Sequence, residues 1–151
     1  CVLHYWRSVP AFCGIFMRPS EFTAFAERLV VQPATTPASI RSASSRAYYG
    51  AYHLVREYLE QLGPRPGAQH NLHLWFADCS EPHGKRIGRL LSSLQSNRIK
   101  SDYRLDEAAA EDPQSARRAV EEARQIESLL AACQQEPVRS ILRNELERLQ
   151  F

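Results

Sequence analysis

The segment TPASIRSASSRAYYGAYHLVREYLEQLG, Thr36–Gly63, carries marks of a helix at both ends. Thr36 is a good cap, and Pro37 takes the first-turn position, where its missing N–H costs nothing. The chain then runs to GPRPG, Gly63–Gly67, so a long helix is predicted to end near Leu62. At about 100° per residue, Arg46 and His53 point within about 20° of each other, two turns apart. Tyr49 and Gly50 fall between them on the same side. Ala47, Tyr48, Ala51, Leu54, Val55, Tyr58 and Leu62 spread over the neighbouring faces as candidate core. Gly50 costs about 1 kcal/mol against alanine in mid-helix, which implies close approach there by another helix or by a ligand. Tyrosines at helical spacing commonly pack, with their hydroxyls bonded. Spacing alone therefore leaves two readings open, an aromatic packing seam and a functional polar stripe.

Working outward, the flanking sequence is helical as well. Ser20 is expected to cap a helix to about Val31, with Phe22, Phe25, Ala26 and Leu29 at helical spacing. A short helix is expected from about Gln69 to Asp78, and a longer one from about His83 to Tyr103. Asp112-Pro113 repeats the cap-then-proline signal and opens a helix to about Cys133. Ala116, Ala119, Val120, Ala123, Ile126, Leu129 and Leu130 share one of its faces. Pro137 starts a last amphipathic helix with Ile141, Leu142, Leu146 and Leu149 apolar. No window alternates as a strand does. The fold class is all-α, an antiparallel helical bundle of about five to six helices. Three parts are expected: an irregular extension at 1–16, the bundle at 17–135, and a C-terminal amphipathic helix at 136–151 that caps the bundle or meets a partner. CVLHYWRSVPAFCGIF lacks a period, and Arg7, Ser8 and Pro10 interrupt any signal-peptide pattern. Met17 is the expected native start, with a genuine N-terminal arm as the alternative.

A net charge of +2 excludes a polycation, so any nucleic-acid surface must come from local clustering. The densest positive region is Lys85, Arg86, Arg89, Lys100 and Arg104, around NRIKSDYRLD, Asn97–Asp106. It is either a solvated face or a phosphate-binding surface. Arg98 and Asp102 lie one turn apart and can pair. The four cysteines form no CxxC or zinc spacing, so a reducing, cytoplasmic setting is expected. No apolar run approaches the ~20 residues of a membrane helix, and no membrane partner is expected. His70 and His73, three apart, have no evident acidic third ligand, so no metal and no cofactor is assigned.

A serine-rich helix entry, SRAYYGAYH, a Gly/Pro loop followed by His70, NRIKSDY closing a later helix and an alanine/glutamate-rich helix occur in that order. This order resembles the HEPN superfamily, in particular the small stand-alone proteins with S-R-A-Y-Y-A-x-F/Y-H on the long helix and R-x-x-A-D-Y on a later one. The resemblance covers Ser20 to Cys133. It implies a bundle that forms a homodimer, with paired helices making a cleft. It also implies a metal-independent endoribonuclease of a toxin–antitoxin or abortive-infection system, acting on RNA beside a nucleotidyltransferase-like antitoxin partner. Active members carry an arginine, four to six residues, then a histidine. Here Arg98 is followed by Asp102 and Tyr103, and no histidine occurs from Lys85 onward. Arg46 and His53 meet the spacing instead, on a different helix.

RNA is cleaved without metal when its own 2′-hydroxyl attacks the phosphorus. That needs a base, for which histidine suits, and a cation on the phosphorane, for which the arginine fork suits. His53 is the expected base, with Arg46 or Arg98 on the phosphate. Tyr49 or Tyr103 would orient RNA or supply a hydroxyl, Asp102 would hold Arg98 or His53, and His70 and Lys100 would support. The alternative is a catalytically inactive HEPN module binding a nucleotide, RNA or protein partner, with the same residues as a buried hydrogen-bonded network. A purely structural dimerisation bundle is the third reading.

Overall fold

Proline opens four of the five α-helices among the residues described in this computed structural model, 17–32, 34–64, 66 and 71–148. The expectations for residues 1–16, His70 and Leu149 lie outside those residues. Helix α1 is Pro19–Val31, α2 Pro37–Leu62, α3 Pro82–Tyr103, α4 Pro113–Cys133 and α5 Val138–Glu147. No strand occurs among the described residues. The caps follow the prolines. Thr36 Oγ1 accepts from the Ser39 N–H at 3.2 Å, and Ser39 Oγ accepts from the Thr36 N–H at 2.9 Å. Glu81 accepts from the Gly84 N–H at 2.8 Å, and Asp112 from the Gln114 and Ser115 N–H groups at 3.1 and 3.0 Å.

Two expected elements differ. Ser20 does not cap α1, because Pro19 already occupies the first turn, and Arg18 precedes the helix with no side-chain cap. The segment expected as a helix from Gln69 is a 3-10 helix, Leu72–Phe76. It is too short to nucleate an α-helix and is held by burial of Leu72 and Phe76. A second 3-10 helix, Ala108–Glu111, joins α3 to α4.

Helix α2 is central, with α1, α3 and α4 packed around it. Its Ala47, Tyr48, Ala51, Val55, Tyr58 and Leu62 are buried as expected, whereas Leu54 is only partly buried. On α4 the expected face is buried, with Leu129 at its edge. The apolar face of α1 is rotated from expectation. Thr23, Ala26 and Val30 face inward, while Phe25 is exposed and Phe22 half-buried. The cause is Gly50. A Cβ there would overlap the Thr23 hydroxyl and come within 3.1 Å of the Thr23 nitrogen. The close approach inferred at Gly50 is thus that of α1, and Gly50 belongs to the helix contact rather than to the polar stripe.

Helix α5 joins the same core through fully buried Leu142 and Leu146, while Ile141 stays exposed. Glu145 ties it down by accepting from the Ser80 hydroxyl and, at 3.2 Å, the Ser80 N–H. Arg124 forks onto Glu27, its Nη2 2.7 Å from Oε2, and links α4 to α1. Cys79 and Cys133 are free, and burial pushes both thiols up to about 12. No helix among the described residues is long and apolar enough to cross a membrane.

Two charged side chains are buried among the described residues, Glu81 at the start of α3 and Arg41. Arg41, only 7% exposed, lies in the second turn of α2 with its guanidinium at the end of α3. Its Nη1 donates to the carbonyls of Lys100, Ser101 and Arg104 at 3.0–3.2 Å. Its Nη2 donates to those of Leu105 and Glu107 at 3.3 and 3.2 Å, and Nε and Nη2 both reach Glu111 Oε1. Three of these carbonyls, of Lys100, Arg104 and Glu107, also accept a backbone N–H, so Arg41 supplies their second donor, and for Ser101 and Leu105 it supplies a donor at the helix end, where intrahelical ones run out.

Arg41→Ala is expected to destabilise the protein by about 3 kcal/mol, read as a lower urea midpoint, because it removes the hydrogen bonds and the Glu111 ion pair that join α2 to the end of α3 and leaves the buried Ser101 carbonyl without its donor. Gly50→Ala, which helix propensity alone predicts to stabilise by about 1 kcal/mol, is instead expected to destabilise by about 1–3 kcal/mol. That loss should shrink in a Thr23→Ala background, as a double-mutant cycle would read.

Candidate active site

The site forms where the middle of α2 meets the last turns of α3. Tyr49 and His53 lie one turn apart on α2, and Arg98, Asp102 and Tyr103 lie on the final turns of α3. Arg98 Nη2 donates to the Tyr49 hydroxyl at 2.7 Å and to the Tyr103 hydroxyl at 3.2 Å. Its guanidinium carbon lies 5.0 Å from the Tyr103 ring centre, 5.4 Å from that of Tyr49 and 6.0 Å from that of Tyr48. Asp102 Oδ2 stands 3.0 Å from Arg98 Nε and accepts from the Ser45 hydroxyl at 3.1 Å. The Arg98 contact is an ion pair whose Nε–H is not aimed well enough for a hydrogen bond. Burial works against the Arg98 charge, but the Tyr49 hydroxyl and the neighbouring phenols and Asp102 outweigh it and raise its pKa. Burial pushes the Tyr48 phenol beneath up to about 12.

His53 continues the same face. Its ring lies nearly parallel to Tyr49 with centres 6.4 Å apart, and Tyr52 meets it edge-on at 5.2 Å. From α1, Phe22 stacks on it at 5.6 Å and 20°. The imidazole is half-buried and has no hydrogen-bond partner among the described residues. Burial, helped by Arg56 and opposed by Glu57, lowers its pKa, so the neutral ring prevails at neutral pH. Arg46 is exposed and lies over the other reach of Phe22, 5.9 Å from the ring centre.

Six of the residues singled out in the sequence are thus brought into one region: Arg46, Tyr49, His53, Arg98, Asp102 and Tyr103. Lys100 is not among them. It pairs with Glu107 at 3.5 Å, because successive positions on α3 point different ways. For the same reason the basic cluster divides around α3. Lys85 and Arg89 line a groove with His73, and Arg86 reaches Gln125 on α4. His73 lies in that groove beside Phe76 and Gly88, apart from the site, and burial lowers its pKa. No group of three or more His, Cys, Asp or Glu among the described residues is placed to hold a metal ion.

Three contributors were not anticipated. Ser45 stands inside the quoted motif, but its role as partner to Asp102 depends on α3. Phe22 reads as core by spacing. Arg41 reads as surface, since backbone acceptors leave no trace in sequence.

A five-helix bundle with a Tyr–Arg–Asp cluster bridging its central helix and the end of the next is the class defined by fold and site. The HEPN domain model matches residues 38–133, and the chain belongs to that family. The match spans α2 to α4 and leaves α1 and α5 outside it. No curated protein and no solved structure matches the chain significantly.

His53 is expected to titrate below the ordinary 6.5 when followed by NMR. The sign for stability follows: as pH falls through 6.5, the unfolded chain takes up a proton that folded His53 and His73 resist, so stability drops. His53→Gln should flatten part of that slope in urea titrations between pH 7 and 5.

Proposed function

We propose that this HEPN protein is a metal-independent endoribonuclease of the toxin or defence type. The observation that carries the reading is His53: half-exposed, favoured neutral, without a hydrogen-bond partner among the described residues, and on the same face as Arg98 and Arg46. A neutral imidazole is the form that accepts a proton. His53 takes the 2′-hydroxyl proton, and the 2′-oxygen attacks the phosphorus. Arg98 and Arg46 stabilise the phosphorane charge. The bond to the 5′-oxygen breaks, leaving a 2′,3′-cyclic phosphate and a 5′-hydroxyl. The Tyr49 hydroxyl accepts from Arg98, which leaves its own proton free to donate to that oxygen. Tyr103, 65% exposed, offers a ring on which a base stacks. The reading includes a homodimer, for which Ile99, Tyr103 and Leu105 provide exposed apolar surface near the site. It also includes a nucleotidyltransferase-like antitoxin partner.

One observation favours the inactive-module alternative. Arg98 is already engaged by Tyr49, Tyr103 and Asp102, and so is partly satisfied as a structural network would be. The two readings separate in one experiment. The protein and its His53→Ala variant are expressed in cells, scored for growth arrest, and incubated as purified proteins with RNA in the presence of a metal chelator. The nuclease reading expects cleavage by the parent and a loss on the order of 10²–10⁴-fold in the variant. Equal cleavage by the two forms removes His53 as the base, and no cleavage by either leaves the binding module.

A further inference from the structure

Helix α1 lies outside the matched HEPN span, yet one of its side chains forms part of the site. The Phe22 ring packs against the His53 imidazole at 5.6 Å and against Tyr49 at 6.2 Å, and the Arg46 guanidinium lies 5.9 Å from its centre. Arg46 and His53 are both cationic or potentially so, and no hydrogen bond or ion pair joins them. What they share is this one ring. Its place is set by backbone packing, because Thr23, the next residue, is buried and wedged against Gly50 of α2. Phe22 therefore cannot slide along α2 without lifting Thr23.

The geometry points to Phe22 as a positioning residue that assembles Arg46 and His53 into one site, by stacking on the imidazole and carrying the guanidinium. Among the described residues the imidazole has no hydrogen-bond partner, and the rings around it are the contacts that choose its rotamer. Of those, Tyr49 and Tyr52 belong to its own helix, and among the described residues Phe22 is the one that comes from another. The charges acting on His53 are Arg56 and Glu57 of α2, while α3 approaches through Arg98 on Tyr49. From α1 the group that faces it is the uncharged Phe22 ring, which shields it from water. The inference rests on the nuclease reading only for its kinetic consequence; the stacking itself is measured without any substrate.

The test uses the full chain and its Phe22→Leu and Phe22→Trp variants, each first checked for parental helicity by circular dichroism. Leu keeps apolar bulk under α1 and removes the ring; Trp keeps a ring. In Phe22→Leu the His53 ring-proton resonances should lose their upfield ring-current displacement, and the His53 titration midpoint should rise towards the ordinary value. Phe22→Trp should restore both. With RNA, Phe22→Leu should lower kcat on the order of tenfold with little change in KM, because a misplaced base weakens the transition state more than substrate binding. His53 resonances and midpoint unchanged in Phe22→Leu would overturn the proposal. Shifted resonances in a parent protein that cuts no RNA would leave the positioning role standing and remove the nuclease reading instead.

Discussion

A guanidinium buried in a helical bundle must find several acceptors, because its desolvation is not offset by one ion pair alone. Arg41 finds them in the carbonyls that end α3 and in Glu111, which is still 38% exposed on its side chain. That single side chain joins the start of α2, the last turn of α3 and the 3-10 helix before α4. Ser45 lies one turn beyond Arg41 on α2, and Asp102 lies among the carbonyls that Arg41 holds. The Ser45–Asp102–Arg98 contacts therefore inherit their register from Arg41. If the end of α3 were free to shift by a turn, Arg98 would leave Tyr49, and the polar cluster would come apart while the apolar core remained.

The second constraint is small-on-small packing. Thr23 over Gly50 brings α1 down onto α2, and Ala116, Ala119 and Ala123 line the inner face of α4. Small side chains let backbones approach, and they also leave few alternative registers in which larger neighbours fit. Two acidic residues on different helices then hold the periphery: Glu27 takes Arg124 across the α1–α4 seam, and Arg124 holds the Glu27 carboxyl below the usual carboxylate range. Glu145 fastens α5 to the residues just before α3, so both helices outside the matched family span are anchored by a carboxylate as well as by apolar contacts.

How much of this could be read in advance depends on which chemistry leaves a local mark. Prolines and caps do, and the limits of α2 and α4 were legible in Thr36-Pro37 and Asp112-Pro113. The pairing of Arg98 with Asp102 was legible from their spacing, and the common face of Tyr49 and His53 from helical geometry. The inward face of α1 was not, since an apolar count favours Phe22 and Phe25 over Thr23, and only the missing side chain of Gly50 reverses that choice. Arg41 was hidden for a different reason. Its partners are main-chain oxygens, identical at every position, so nothing in the sequence distinguishes it from the arginines that face water. Lys100 erred in the opposite direction: a dense run of positive residues was legible, but its division among several faces of α3 required the neighbouring helices.

Helix α3 is held at both ends by buried side chains that belong to other parts of the chain or to its own entry: Glu81 at the first turn and Arg41 at the last. Helices ordinarily fray from their termini, at a free energy far below that of global unfolding. Here neither terminus can peel away without stranding a buried charge. The amides along α3 should then exchange with solvent as one cooperative unit rather than in a gradient from the ends. A cluster placed on the final turn of a helix is in most proteins the part first lost to thermal motion. On this helix it is as durable as the middle.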